Sequence, residues 1–218
     1  MKPLTVTTIS RDRRSHSGLS AFLIVATTMS AVAAPPVRAG DGSAAGGHGV
    51  TVFQRSVYTT IDLPTCSRTK TSDGESHICK GLPGYPIYMA EGDLRAFIAA
   101  STAPAKSRAA EQTLKAFNTP FKGNATRAPI EWRIVIREGK QVPYAAIIKY
   151  YTKNDEAQGQ VFVVMKIAGA ETCHVAYIDA VANPEAIILA RQVADEKARN
   201  FNCKEPPAIV GARGKSPM

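Results

Sequence analysis

Between Ile130 and Ile178 the chain repeats one pattern four times: a run of alternating or continuous apolar residues closed by a short turn. Ile130, Trp132, Ile134 and Ile136 alternate with Glu131, Arg133, Val135 and Arg137, the period of two expected of side chains on a pleated strand. Gly139 turns the chain into residues 144–151, and residues 154–159 turn it again. Residues 161–167 are then apolar apart from Lys166, and Gly169 leads into residues 173–178. Strands joined by so few residues pair antiparallel, because parallel neighbours need a crossover of a dozen residues or more. The pattern predicts an α+β fold: a four-strand antiparallel meander, extended by N-terminal strands, with a C-terminal helix packed on one face.

That helix is expected after the fourth strand. Asn183 is placed to cap it, Pro184 suits the first helical position, and Glu185 suits the positive helix end. Ile187, Ile188, Ala190, Ala194, Ala198 and Phe201 then make an apolar stripe opposite Arg191, Gln192, Asp195, Glu196, Lys197 and Arg199. Cys173 lies in the strand before and Cys203 follows the last turn. Four cysteines allow three connectivities; the favoured one pairs Cys173 with Cys203, anchoring the helix across the sheet, and leaves Cys66 with Cys79 to staple a polar hairpin or loop. Closing that smaller loop stabilises the fold by about 3 kcal/mol in the chain-entropy model.

Matching faces across the turns groups Trp132, Ile134, Tyr144, Ile148, Val163, Met165, Cys173 and Val175 under the helix. The opposite face then carries Arg133, Arg137, Lys149, Lys166 and His174 among Val135, Ile147, Phe162, Val164 and Ile178. Such a face is too apolar for open water. Either two helices expected at 93–101 and 107–117 cover it, or it is half of a binding site; a one-residue slip in register would undo the grouping.

Lys2, Arg11, Arg13 and Arg14 precede an apolar run from Leu19 that ends in small residues, the pattern of a secretory signal peptide. Cleavage is expected after Ala33, with Ala39 as the second choice. Three of the nine net positive charges would leave with residues 1–33, and the remainder stays basic. No later segment is long and apolar enough to span a bilayer. Residues 34–49, rich in Pro, Gly and Ala, read as a flexible lead-in, 50–203 as a single domain whose first strand spans 50–63, and 204–218 as a disordered basic tail. A periplasmic or secreted location follows, where even-numbered cysteines form disulfides and nucleic acid is not an expected partner.

Four segments carry a resemblance: YTTIDLPTC at 58–66, GLPGYPIYMAEGDLR at 81–95, GQVFVVMKI at 159–167 and the run from Cys173 to Cys203. In these the chain resembles a family of uncharacterised exported bacterial proteins of the kind met in alphaproteobacteria. The resemblance covers most of the mature chain and implies an exported, disulfide-bonded single domain. It carries over no catalytic or binding residue.

Residue chemistry favours binding over catalysis. No G-x-S-x-G surrounds a serine, and no nucleophile stands beside a base and an orienting acid. His174 with Asp179, and Glu91 with Asp93, are the candidate acid–base groups for a hydrolase acting on an envelope polymer. His48, His77 and His174 lack metal-ligand spacing, so neither metal nor cofactor is expected. The favoured expectation is a non-enzymatic module that binds an envelope protein or anionic glycan through Arg133, Arg137, Lys149, Lys166 and His174.

Overall fold

The computed structural model describes residues 54–71 and 74–218. The expected signal peptide, the expected lead-in and the start of the first expected strand lie outside these residues. Within them the chain forms β1 (Gln54–Asp62), β2 (Ser67–Thr71), β3 (Gly74–Leu82), β4 (Tyr85–Gly92) and β5 (Arg95–Ala100). There follow β6 (Phe117–Thr119), β7 (Arg127–Arg137), β8 (Lys140–Lys153), β9 (Gln158–Ala168), β10 (Glu171–Asp179), the helix α1 (Ala186–Glu196) and β11 (Ala208–Ile209). The fold is mostly sheet. All the strands join one mixed sheet, antiparallel except where β6 meets β5 and β11 meets β10.

The sheet doubles over itself. Neighbours β2 to β5 form one arm, and β1, β7, β8, β9 and β10 the other, with β6 linking β5 to the end of β8. Ile87, Met89 and Ile98 of the first arm pack against Trp132, Ile148 and Met165 of the second. On the far side of the second arm, Ile147, Val164 and Ile178 meet Ala190, Val193 and Ala194 of α1. Strands buried on both faces need apolar residues at nearly every position, which explains the continuous run at Val161–Ile167.

The helix therefore covers the opposite face from the one expected. Trp132, Ile134, Ile148, Val163 and Met165 face the first arm, whereas Tyr144 and Val175 have crossed to the helix side. A bulge at Tyr144 moves that residue, and His174 rather than Cys173 pairs with Met165, which puts Cys173 and Val175 on the helix side. The register of β7 on β8 shifts between Arg133 and Ile134, and that of β10 on β9 between His174 and Ala176. Each extra residue reverses the parity of everything beyond it.

The two expected helices at 93–101 and 107–117 are absent. Asp93 and Leu94 make a tight turn into β5, whose Phe97 and Ile98 pair across from Ala90 and Met89, and only short 3-10 turns, Pro104–Lys106 and Arg108–Glu111, follow. Cross-strand pairing overrides a helical spacing that was equally compatible with an apolar strand. The C-terminal helix starts later than expected, and Glu185, not Asn183, precedes it. Asn183 instead holds the tail: its Nδ2 donates to the carbonyls of Asp179 and Ala212, and its Oδ1 accepts from the Ala212 amide at 2.8 Å.

The tail read as disordered is seated against the fold. β11 lies parallel to β10, and Ser216 is buried beside Asp179. A β-carbon on Gly159 would overlap Ser216, so glycine is needed there for this approach. Both disulfides form as favoured, Cys66 with Cys79 and Cys173 with Cys203, and they suit an oxidising compartment. Among the described residues no helix is long and apolar enough to cross a membrane.

Candidate functional site

At 11 residues α1 is about 16 Å long, while the 14 residues of β8 extend for about 46 Å. The helix seats on the part of β8 around Tyr144, Ala145 and Ile147 and leaves the rest uncovered. Alternation then places Lys149, Tyr151 and Lys153 on the same face beyond it. Register brings Phe162, Gln160 and Gln158 of β9 alongside these three, and Thr119 and Phe117 of β6 alongside Tyr151 and Lys153. The ammonium of Lys149 lies 5.5 Å from the Tyr151 ring centre and 5.8 Å from that of Phe162, and it donates to Gln160 Oε1 at 3.3 Å.

Tyr151, Lys153, Gln158, Gln160, Thr119 and Phe117 of this ladder line a groove of about 620 Å³, and Lys149 and Phe162 are the next rung along the strands. Phe117, Phe121 and Lys122 continue the aromatic and basic lining, and Leu94 and Val181 stand at its sides. Thr152, also on the groove wall, has a buried hydroxyl with no hydrogen-bond partner among the described residues. Such a surface combines flat rings, amide donors and acceptors, and mobile positive charges.

The five residues expected to form one basic face are separated. Lys149 alone joins the ladder. Arg137 is exposed at the end of β7. Lys166 is buried, donating to the Phe201 carbonyl at 2.9 Å and pairing with Glu171 at 3.0 Å. Arg133 lies under the helix, its Nε and Nη2 bonded to the two Asp195 oxygens at 2.8 and 2.6 Å and its Nη1 to Ser56. One pair along, Arg191 binds Glu131 in the same two-pronged way and reaches Tyr58. Burial would raise the Glu131 carboxyl, but bonds from Arg191, Ser56 and Tyr58 outweigh it and hold the group below the usual carboxylate range. Residues two apart on a strand rise by about 6.7 Å and four apart on a helix by about 6 Å, so Glu131 and Arg133 match Arg191 and Asp195 rung for rung.

His174 lies fully buried on the other face of the second arm. Its amide donates to Gln112 Oε1 at 2.8 Å, and its Nδ1 is 3.0 Å from the Tyr177 hydroxyl. Burial pushes the imidazole down to about 3 and the Tyr177 phenol up to about 12, so both are neutral. Tyr177, with Arg95, Gln112 and Lys115, lines a shallower cleft of about 540 Å³. Because the native chain refuses a proton that the unfolded one accepts, stability is expected to fall as pH drops below about 6.5 and to keep falling towards the folded value. Urea titrations across this range would check it; His174→Phe should flatten the slope, and an unchanged slope would assign it to other groups.

The hydrolase candidates are likewise dispersed. Glu91 lines the groove, Asp93 pairs with Arg95, and Asp179 is wholly buried as an acceptor for the tail. Among the described residues no group of three His, Cys, Asp or Glu side chains is placed to hold a metal ion. Tyr151, Lys153 and Gln160 were not singled out from the sequence; the signal available was the period-two run of Lys149, Tyr151 and Lys153. No family model, curated protein or solved structure matches the chain.

Proposed function

We propose that the protein is an exported, non-enzymatic binding module that holds an anionic envelope glycan in the groove beside β8. The observation that carries this reading is the ladder of Lys149, Tyr151 and Lys153 with Gln160 and Gln158 across from it. A flat phenol offers an apolar face to the C–H edge of a sugar ring, and amide side chains bond hydroxyls in either sense. Ammonium groups on flexible stems meet carboxylates or phosphates without demanding one geometry. The basic balance of the chain favours anionic partners and speeds their encounter.

Turnover is the weaker alternative. Glycoside hydrolysis needs two carboxyl groups across the scissile bond, and of the four candidate groups only Glu91 lines the groove. Export and the resemblance to uncharacterised exported bacterial proteins belong to the same proposal.

The test is calorimetric titration of the oxidised domain, residues 34–218, with deacylated lipopolysaccharide and with neutral dextran. Tyr151→Ala and the pair Lys149→Ala/Lys153→Ala should each weaken binding of the anionic polymer about ten-fold or more, with the lysine effect shrinking as salt rises. Equal affinity for dextran, or full affinity in both variants, would remove the proposal.

A further inference from the structure

Leu94 sits where an L-residue is poorly accommodated. Asp93 and Leu94 both adopt left-handed backbone, with φ of 49° and 58°, in the two-residue turn between β4 and β5. Turns with both central residues at positive φ favour glycine at the second position. The equivalent turn between β7 and β8 obeys the rule, with Glu138 at φ 50° followed by Gly139 at φ 72°. Leu94 departs from it and is 59% exposed, so its burial among the described residues repays little of the strain.

The turn is nevertheless firmly held. The Leu94 carbonyl accepts from the Asn118 amide at 3.0 Å, Asp93 pairs with Arg95, and Arg95 donates to the Lys115 carbonyl at 2.8 Å. Leu94 lines the groove, as does Val181, itself 64% exposed. Two exposed aliphatic residues thus line the same groove as Lys122, Lys153 and the aromatic rings.

We propose that Leu94 is a specificity residue of this groove, and that the ligand is an anionic glycan bearing an acyl group whose chain lies against Leu94 and Val181. The inference rests on the glycan-binding reading and names what the sugar carries. Strain retained at an exposed position is accounted for when the side chain is covered on binding. The lysines complement the phosphates or carboxylates of the same molecule, and burying a half-exposed leucine against an acyl chain raises affinity about ten-fold.

The experiment compares the oxidised domain binding intact lipopolysaccharide in phosphatidylcholine vesicles with the same lipopolysaccharide after complete deacylation. The native protein should favour the intact form about ten-fold. Leu94→Ala should erase that preference by weakening binding of the intact form. Leu94→Gly should erase it too and raise Tm, because glycine accepts φ near 58° without a β-carbon. Equal binding of both forms by the native protein, or a preference that survives Leu94→Ala, would overturn the inference and leave the glycan reading standing. Binding of neither form would overturn both.

Discussion

Asp179→Ala is expected to destabilise the protein by about 4 kcal/mol and to free the C-terminal tail. The Asp179 side chain is fully buried and accepts from five donors: the amides of Val181, Ala182, Gly214 and Ser216, and the Ser216 hydroxyl at 2.6 Å. Removing it leaves part-buried amides and the buried Ser216 amide unpaired and abolishes an ionic group that ties the tail to β10. Burial by itself would raise this carboxyl, but the Ser216 hydroxyl and the backbone amides hold it below its ordinary value. Its contribution is therefore present above the unfolded value of about 3.9 and is lost as pH falls through the lower folded one. Asp179→Asn, which keeps the shape but not the charge, should lose about half as much. Hydrogen exchange would read the tail directly: the amides of Gly214 and Ser216 should lose protection in both variants. A stable Asp179→Ala protein with a protected tail would show that the carboxylate does not hold it.

Arg133→Ala is expected to cost about 3 kcal/mol, because it leaves Asp195 of α1 with only the Tyr144 hydroxyl, 2.6 Å away, as a hydrogen-bond partner among the described residues. The side chains of the pair are 11% and 22% exposed, so solvent screens it little. Replacing both partners, Arg133→Met with Asp195→Leu, should recover most of the loss, since neither charge is then left uncompensated. Affinity for the deacylated polymer should not change in either variant. A fall in affinity with Tm intact would instead put Arg133 on the ligand face, as the basic grouping in the sequence suggests, and would displace the groove beside β8.

What the sequence showed and what it hid divide along physical lines. Alternation in β7 and the apolar run of β9 are local signals, and so was the small-residue stripe of α1. The side of the sheet on which α1 would lie was not local. It turned on which face the first arm folds back over, and the bulge at Tyr144 leaves no mark in a period-two pattern. Leu94, Phe97 and Ile98 satisfied helical spacing as well as strand pairing, and only β4 as a neighbour decides between them. The tail looked solvated because of its Pro, Lys and Arg residues, yet its attachment runs through backbone amides to Asp179 and Asn183, which composition does not report. Beside the groove, Lys149 was legible as a basic residue on a half-apolar face. That α1 stops short of Tyr151 depends on where two elements of unequal length overlap.

The pairing of β1 with β7 bears on when the fold can close. Val57 lies opposite Trp132, and Thr59 accepts a hydrogen bond from the Trp132 indole at 2.8 Å. Every strand of the first arm is threaded between these two in the chain, so the first strand has no sheet neighbour until the seventh has been delivered. Contacts of this span make folding slow, on the millisecond-to-second scale typical of non-local β topologies. Under the export proposed above, with the chain crossing a membrane unfolded, such delay is an advantage, because the order of the strands itself holds back premature folding.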